Sequence, residues 1–131
     1  MEIRQFRVVV RARDFDRTCR FYGDVLALPR LQSWDRENGR GALYQAGSGA
    51  IEVLGRAHGG EAGRDETFDY QGPLQKVVVV LGVASAEKAY EELIFRDRNI
   101  PGGLRTDGDG AMVFETHDPD GVKILFRQNA G

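Results

Sequence analysis

The stretch VVVRARDFDRTCRFYGDVLALP, Val8–Pro29, changes from strand-like to helix-like periodicity within one short segment. The β-branched run Val8, Val9, Val10 predicts a strand within QFRVVVRARD (5–14), with charge entering at its end. Asp14 stands where a helix N-cap belongs. Phe15, Cys19, Tyr22 and Leu26 then recur at i, i+4, i+7 and i+11, one apolar face of a helix through FDRTCRFYGDVLAL (15–28). Pro29 prevents easy continuation. Short strand candidates follow at LQSW (31–34), GALYQA (41–46) and AIEVLG (50–55). GSG at 47–49 lies between two of them with no helix after it, so it reads as a hairpin turn and not a phosphate cradle.

The second half repeats this order. KVVVVLGV (76–83) reads as a strand and Ser85 as an N-cap. In the helix AEKAYEELIFRDRN (86–99), Ala86, Ala89, Tyr90, Leu93 and Ile94 share a face. IPGG (100–103) breaks the chain, and AMVFET (111–116) and VKILF (122–126) are later strands. Between them, HDPDGV (117–122) is a turn: Asp118 accepts a local backbone bond, Pro119 presets φ and Gly121 closes. Val8 to Val79 is 71 residues, Asp14 to Ala84 is 70, Tyr44 to Glu115 is 71 and Ile51 to Ile124 is 73. A strand–helix–strand–strand–strand module is therefore expected twice, at about 1–55 and 74–131. A polar, glycine-rich joiner (56–73) lies between them, either a linker or a loop over a site.

Composition narrows the function classes. The 131 residues are 41 % hydrophobic and 29 % charged, with a net charge of −2, enough for a real core and balanced in sign. Without a basic stripe interleaved with aromatics, nucleic acid is not an expected partner. The longest apolar run, Val77–Val83, is too short to span a bilayer. MEIRQFRVVV opens with an acid and alternates charge, unlike a signal peptide. Together with a single cysteine, Cys19, this predicts a reduced cytoplasmic protein without a disulfide.

Across VVVRARDFDRTCRFYGDVLALP, AIEVL and FETHDPDGVKILF the chain resembles the vicinal oxygen chelate superfamily of glyoxalases, extradiol dioxygenases and bleomycin-resistance proteins. The resemblance implies an α+β fold of two βαβββ modules whose curled mixed sheets form a cavity, and it implies a homodimer. In metal-dependent members four side chains, from the first and last strand of each module, meet on one divalent ion. Carried onto this chain, those positions fall on Arg7, Glu52, Val78 (or Lys76 or Gln75, if the register slips) and Leu125.

A carboxylate at Glu52, among the apolar residues of GAIEVL, must face water, pair with a cation, ligate a metal or give up its charge. A divalent ion needs several lone-pair donors, and this set offers one; Arg7 is permanently cationic and repels the ion. No metal or other cofactor is expected. The histidines do not restore a site, since His58 falls in the joiner and His117 in the HDPD turn. The resemblance makes the first and last strands of a module neighbours, so Arg7 and Glu52 are expected to pair within the cavity and orient a polar ligand.

Trp34 suits the cavity mouth, a flat ligand or ordinary packing alike, and Tyr44 and Phe114, on corresponding strands, are candidates to line the cavity, with alternation leaving packing under a helix equally open. Cys19 has no base at helical spacing and is expected in the core. Asp65, Glu66 and Asp69 make the joiner acidic, which would attract a cationic ligand and is also what a solvated loop shows. These residues point to metal-independent binding of a small organic molecule, aromatic or cationic, in a sheet-lined cavity. The alternative is an isomerase, lyase or dioxygenase with a displaced metal, or metal-free acid–base chemistry on Glu52. An interaction module without a small ligand is a third class.

Overall fold

In the computed structural model, residues 2–57, 74–96, 98 and 100–129 are described. The chain divides into two compact units, Met1–Gln71 and Gly72–Gly131. Among the described residues no helix is long and apolar enough to cross a membrane.

The first unit opens with β1 (Arg7–Arg11) and α1 (Phe15–Arg20). Asp14 caps α1 as expected, its carboxylate accepting from Arg17 N at 3.1 Å. The expected long helix is shorter. After Arg20 the chain widens into a π-helical turn, Phe21–Val25, which buries both Phe21 and Tyr22 edge to face. The exit passes through Ala27 at φ 55°, the one non-glycine residue in the left-handed region among those described. Then come β2 (Arg30–Arg36), β3 (Gly39–Ala46) and β4 (Gly49–Gly55). The sheet order is β1-β4-β3-β2, with β1 parallel to β4 and the other pairs antiparallel.

Register decides which side chains meet. Val10, Ala42, Tyr44, Ile51 and Val53 are buried on the face that α1 covers. Gly55 approaches α1 so closely that a β carbon there would stand 2.7 Å from Phe15. The alternate residues of each strand lie on the open face.

The second unit repeats the plan with β5 (Leu74–Val83), α2 (Ala86–Phe95), β6 (Arg105–Thr106), β7 (Met112–His117) and β8 (Val122–Gln128), in the order β5-β8-β7-β6. Ser85 caps α2, accepting from Lys88 N at 3.2 Å. Phe114 stacks on Phe126 at 4.5 Å and meets Tyr90 of α2, and Ile124 is buried with them. Each such fully buried side chain contributes about 1.5–3 kcal/mol. At the β7–β8 turn, buried Asp118 accepts from Asp120 N and Val122 N, both at 2.8 Å. Gly121 supplies φ 86° there.

The repeat is shown, with one correction. Val8 and Val79 pair with Ile51 and Ile124 of their own sheets, so the offsets of 71 and 73 hold. Ile51 faces Tyr44 and Ile124 faces Thr116, however, so Tyr44 corresponds to Thr116 at 72 and not to Glu115. The joiner from 58 to 73, with His58, Asp65, Glu66 and Asp69, lies outside the described residues.

Candidate functional site

Parallel pairing of β1 with β4 sets Arg7 opposite Ala50 and Val9 opposite Glu52, all on the open face of the first sheet. Arg7 Nη1 reaches Glu52 Oε1 at 3.2 Å. The two partners differ in environment, the Glu52 side chain being 13 % exposed and that of Arg7 44 %. The guanidinium therefore shields a largely buried carboxylate while the Arg7 side chain as a whole stays nearly half exposed. Glu52 also faces Leu43 across the antiparallel pair, which leaves Arg7 as its cation.

Trp34 lies on the same open face. Its partner across β2–β3 is Gly41, and a β carbon at Gly41 would fall 2.0 Å from the indole Cζ2. The indole lies against bare backbone, with the Arg36 guanidinium 5.7 Å from the ring centre.

Tyr44 is a correction. It pairs with buried Ile51, one residue out of phase with Glu52, and so belongs to the helix-covered face. There its hydroxyl donates to the Cys19 carbonyl at 3.3 Å. Burial, and then its bonding with Cys19, pushes the phenol well above the usual tyrosine range. Phe114 is a second correction for the same reason, packed on the helix-covered face of the other sheet. Strand alternation was legible in both cases, but its phase was not.

Val78 and Leu125 are in the second unit. Val78 faces Lys123 as Arg7 faces Ala50, so it is the counterpart of Arg7, and the register does not slip to Lys76 or Gln75. Leu125, half-buried on the open face of its sheet, is the counterpart of Glu52. It faces Glu115, which pairs with Lys123 at 3.4 Å and Arg105 at 3.7 Å. This acid, and Arg11 and Gly41 of the first sheet, are open-face features that strand pairing brings out and motif reading missed.

A divalent ion does not fit these positions. They carry one lone-pair donor between them, and that donor is engaged by a guanidinium. Among the described residues no three His, Cys, Asp or Glu side chains converge on a point that could hold a metal. His117 is exposed at the end of β7, where its carbonyl accepts from Arg98.

On the other side of the first sheet an open groove of about 570 Å³ runs between α1 and β3, lined by Asp16, Cys19, Arg20, Asp24, Arg30 and Tyr44 among others. Cys19 is half-buried on its wall, and not packed in the core as expected. Burial pushes its thiol up, away from a reactive thiolate.

Comparison with known proteins agrees with this fold. No curated protein sequence matches the chain. A glyoxalase family protein from Enterococcus faecalis superposes with a TM-score of 0.66 at 21 % identity, covering 96 % of this chain and 96 % of that one. The trypanothione-dependent glyoxalase I of Leishmania major gives 0.69 at 19 %, covering 97 % and 87 %. A glyoxalase/bleomycin resistance protein from Catenulispora acidiphila gives 0.67 at 16 %, covering 96 % and 98 %. At such identities the likeness is one of fold. The sequence profile of one family matches residues 4–126, nearly the whole chain. The duplicated module and that match together assign the protein: it belongs to the Glyoxalase/Bleomycin resistance protein/Dioxygenase superfamily.

Proposed function

We propose that this chain is a cytoplasmic, metal-independent binding protein that takes up a small organic compound on the open face of its first sheet. The observation that carries the reading is the Arg7–Glu52 contact at 3.2 Å. A carboxylate serving a metal needs its lone pairs directed at the ion and other donors around it. Here the carboxylate is spent on a guanidinium, and the face around it offers Val9, Leu43 and Leu54 as apolar floor with Trp34 at one flank. Apolar surface with a few placed polar groups is the usual composition of a small-molecule site. A homodimer is part of the proposal, on the family resemblance.

The test combines elemental analysis of the purified protein with a thermal-shift screen of aromatic compounds of both charge signs. Ligands bound only by the native state raise the melting temperature. The reading expects sub-stoichiometric metal, melting unaffected by chelator, and stabilisation by at least one aromatic class. Stoichiometric metal, or a screen in which no compound moves the transition, overturns it.

A further inference from the structure

We propose that the ligand of this face is an organic anion, an aromatic carboxylate, whose charged group pairs with Arg11 while its ring lies over Leu54 against the Trp34 indole. The inference rests on the binding reading above and names the ligand class. Its first support is the order of side chains across the sheet. Arg11 pairs with Leu54, Leu54 with Gly41, and Gly41 with Trp34, so these four form one row on the open face. Three strand spacings separate the ends of that row, about 14 Å. The indole folds over Gly41, so between it and the cation the row holds only Leu54. That makes an apolar patch of leucine and indole with a cation at one end.

The second support is charge. Arg7, Arg11 and Arg36 share the open face by strand alternation, whereas Glu52 is the acid that register places there. Asp35 alternates to the opposite face, between Trp34 and Arg36. Glu52 is already paired with Arg7, and Arg36 sits over the indole. Arg11 is exposed, and no carboxylate among the described residues pairs with it. A guanidinium fork accepts a planar carboxylate through two parallel hydrogen bonds, which gives orientation as well as attraction. A cationic ligand would meet the reverse situation. Among the described residues the acid it meets on this face is Glu52, and taking it would strand Arg7 without its partner.

The chain supplies its own reporter, because Trp34 is its only tryptophan. The probes are 4-ethylbenzoate, 4-ethylbenzamide and 4-ethylbenzylamine, matched in shape and differing in charge, titrated calorimetrically and by tryptophan emission into the intact protein. The benzoate is expected to bind at least tenfold more tightly than the other two, to shift Trp34 emission saturably, and to weaken as salt is raised. Arg11→Gln should bring the benzoate down to the level of the amide. Arg11→Lys should retain an intermediate preference, since it keeps charge but loses the fork. Circular dichroism verifies that both variants are folded, and Asp16→Asn, on the helix-covered side, should bind as the parent does. Equal binding of the three probes, tighter binding of the amine, or an unchanged Arg11→Gln variant overturns the anion assignment and leaves the binding reading in place. Silence from all three probes also overturns it; the binding reading then stands or falls with the wider thermal-shift screen.

Discussion

Trp34 rests on Gly41 with no room for a methyl group between them: a β carbon on the glycine would lie 2.0 Å from the indole Cζ2 and 2.1 Å from Cε2. Gly41→Ala must therefore lift the indole from the sheet or bend β3. Such overpacking costs about 1–3 kcal/mol. Urea titration followed by Trp34 emission should show the loss, with the native spectrum shifted to the red as the ring meets water. An unchanged midpoint and spectrum would mean that the ring does not lie on this backbone.

The Arg7–Glu52 pair predicts an asymmetry between its two single variants. Glu52→Gln leaves Arg7, already 44 % exposed, free to turn to solvent and should cost little. Arg7→Ala strands a carboxylate that is 13 % exposed and should cost more, about 1–2 kcal/mol. Because Arg7 is so open, the coupling from a double-variant cycle should be no more than about 1 kcal/mol. Equal costs for the two variants would argue that the contact is not formed in solution.

Asp118 closes the β7–β8 turn by accepting from two backbone N–H groups, at 2.8 Å each, from a buried position. Asp118→Ala leaves both donors without that acceptor and should destabilise the protein by about 1–3 kcal/mol. Asp118→Asn keeps one acceptor oxygen and should recover part of the loss. Denaturant midpoints of the three proteins give the order directly.

Asp107 predicts a dependence on pH. The Ala111 N–H holds its carboxyl below the usual 3.8, helped by the Asp109 N–H and the Arg127 guanidinium. A carboxyl lowered in the folded state adds stability that is fully present above its unfolded value and is lost as pH falls through the folded one. The stability gap between the parent and Asp107→Asn should thus be widest above pH 4 and close as the solution is made more acid. A gap that widens on acidification would have the wrong sign for this arrangement.

Local chemistry was the most legible part of the chain. Asp14, Ser85 and Asp118 were each identified from their neighbours and each makes the backbone bond expected of it, because caps and turns are decided within a few residues. The Arg7–Glu52 contact was legible only through the family resemblance, which makes first and last strands neighbours. What failed was phase. Tyr44 and Phe114 were candidates for the open face, but each is one residue out of step with the acids there, Glu52 and Glu115, and packs beneath a helix. The module offset, 71 at Val8, 72 at Tyr44 and 73 at Ile51, explains part of the error. The extra residue between the Tyr44 and Ile51 positions entered at the hairpin turn and not within the paired strands, since a one-residue slip there would turn every side chain to the other face. The π-turn was illegible for another reason. Its apolar positions satisfy the spacing of an α-helix through Leu26, and the widening depends on how Phe21 and Tyr22 are buried together.

Ala27 has a consequence for thermostability engineering. Its φ of 55° holds a β carbon in a conformation that crowds the following carbonyl, at a cost of about 1–2 kcal/mol. Glycine accepts that geometry freely but gives the unfolded chain more freedom, returning about 0.4–1 kcal/mol of the gain. Ala27→Gly should therefore raise the melting temperature, by on the order of 2 °C in calorimetry. At the exit from its first helix, this protein is hardened by making a residue smaller.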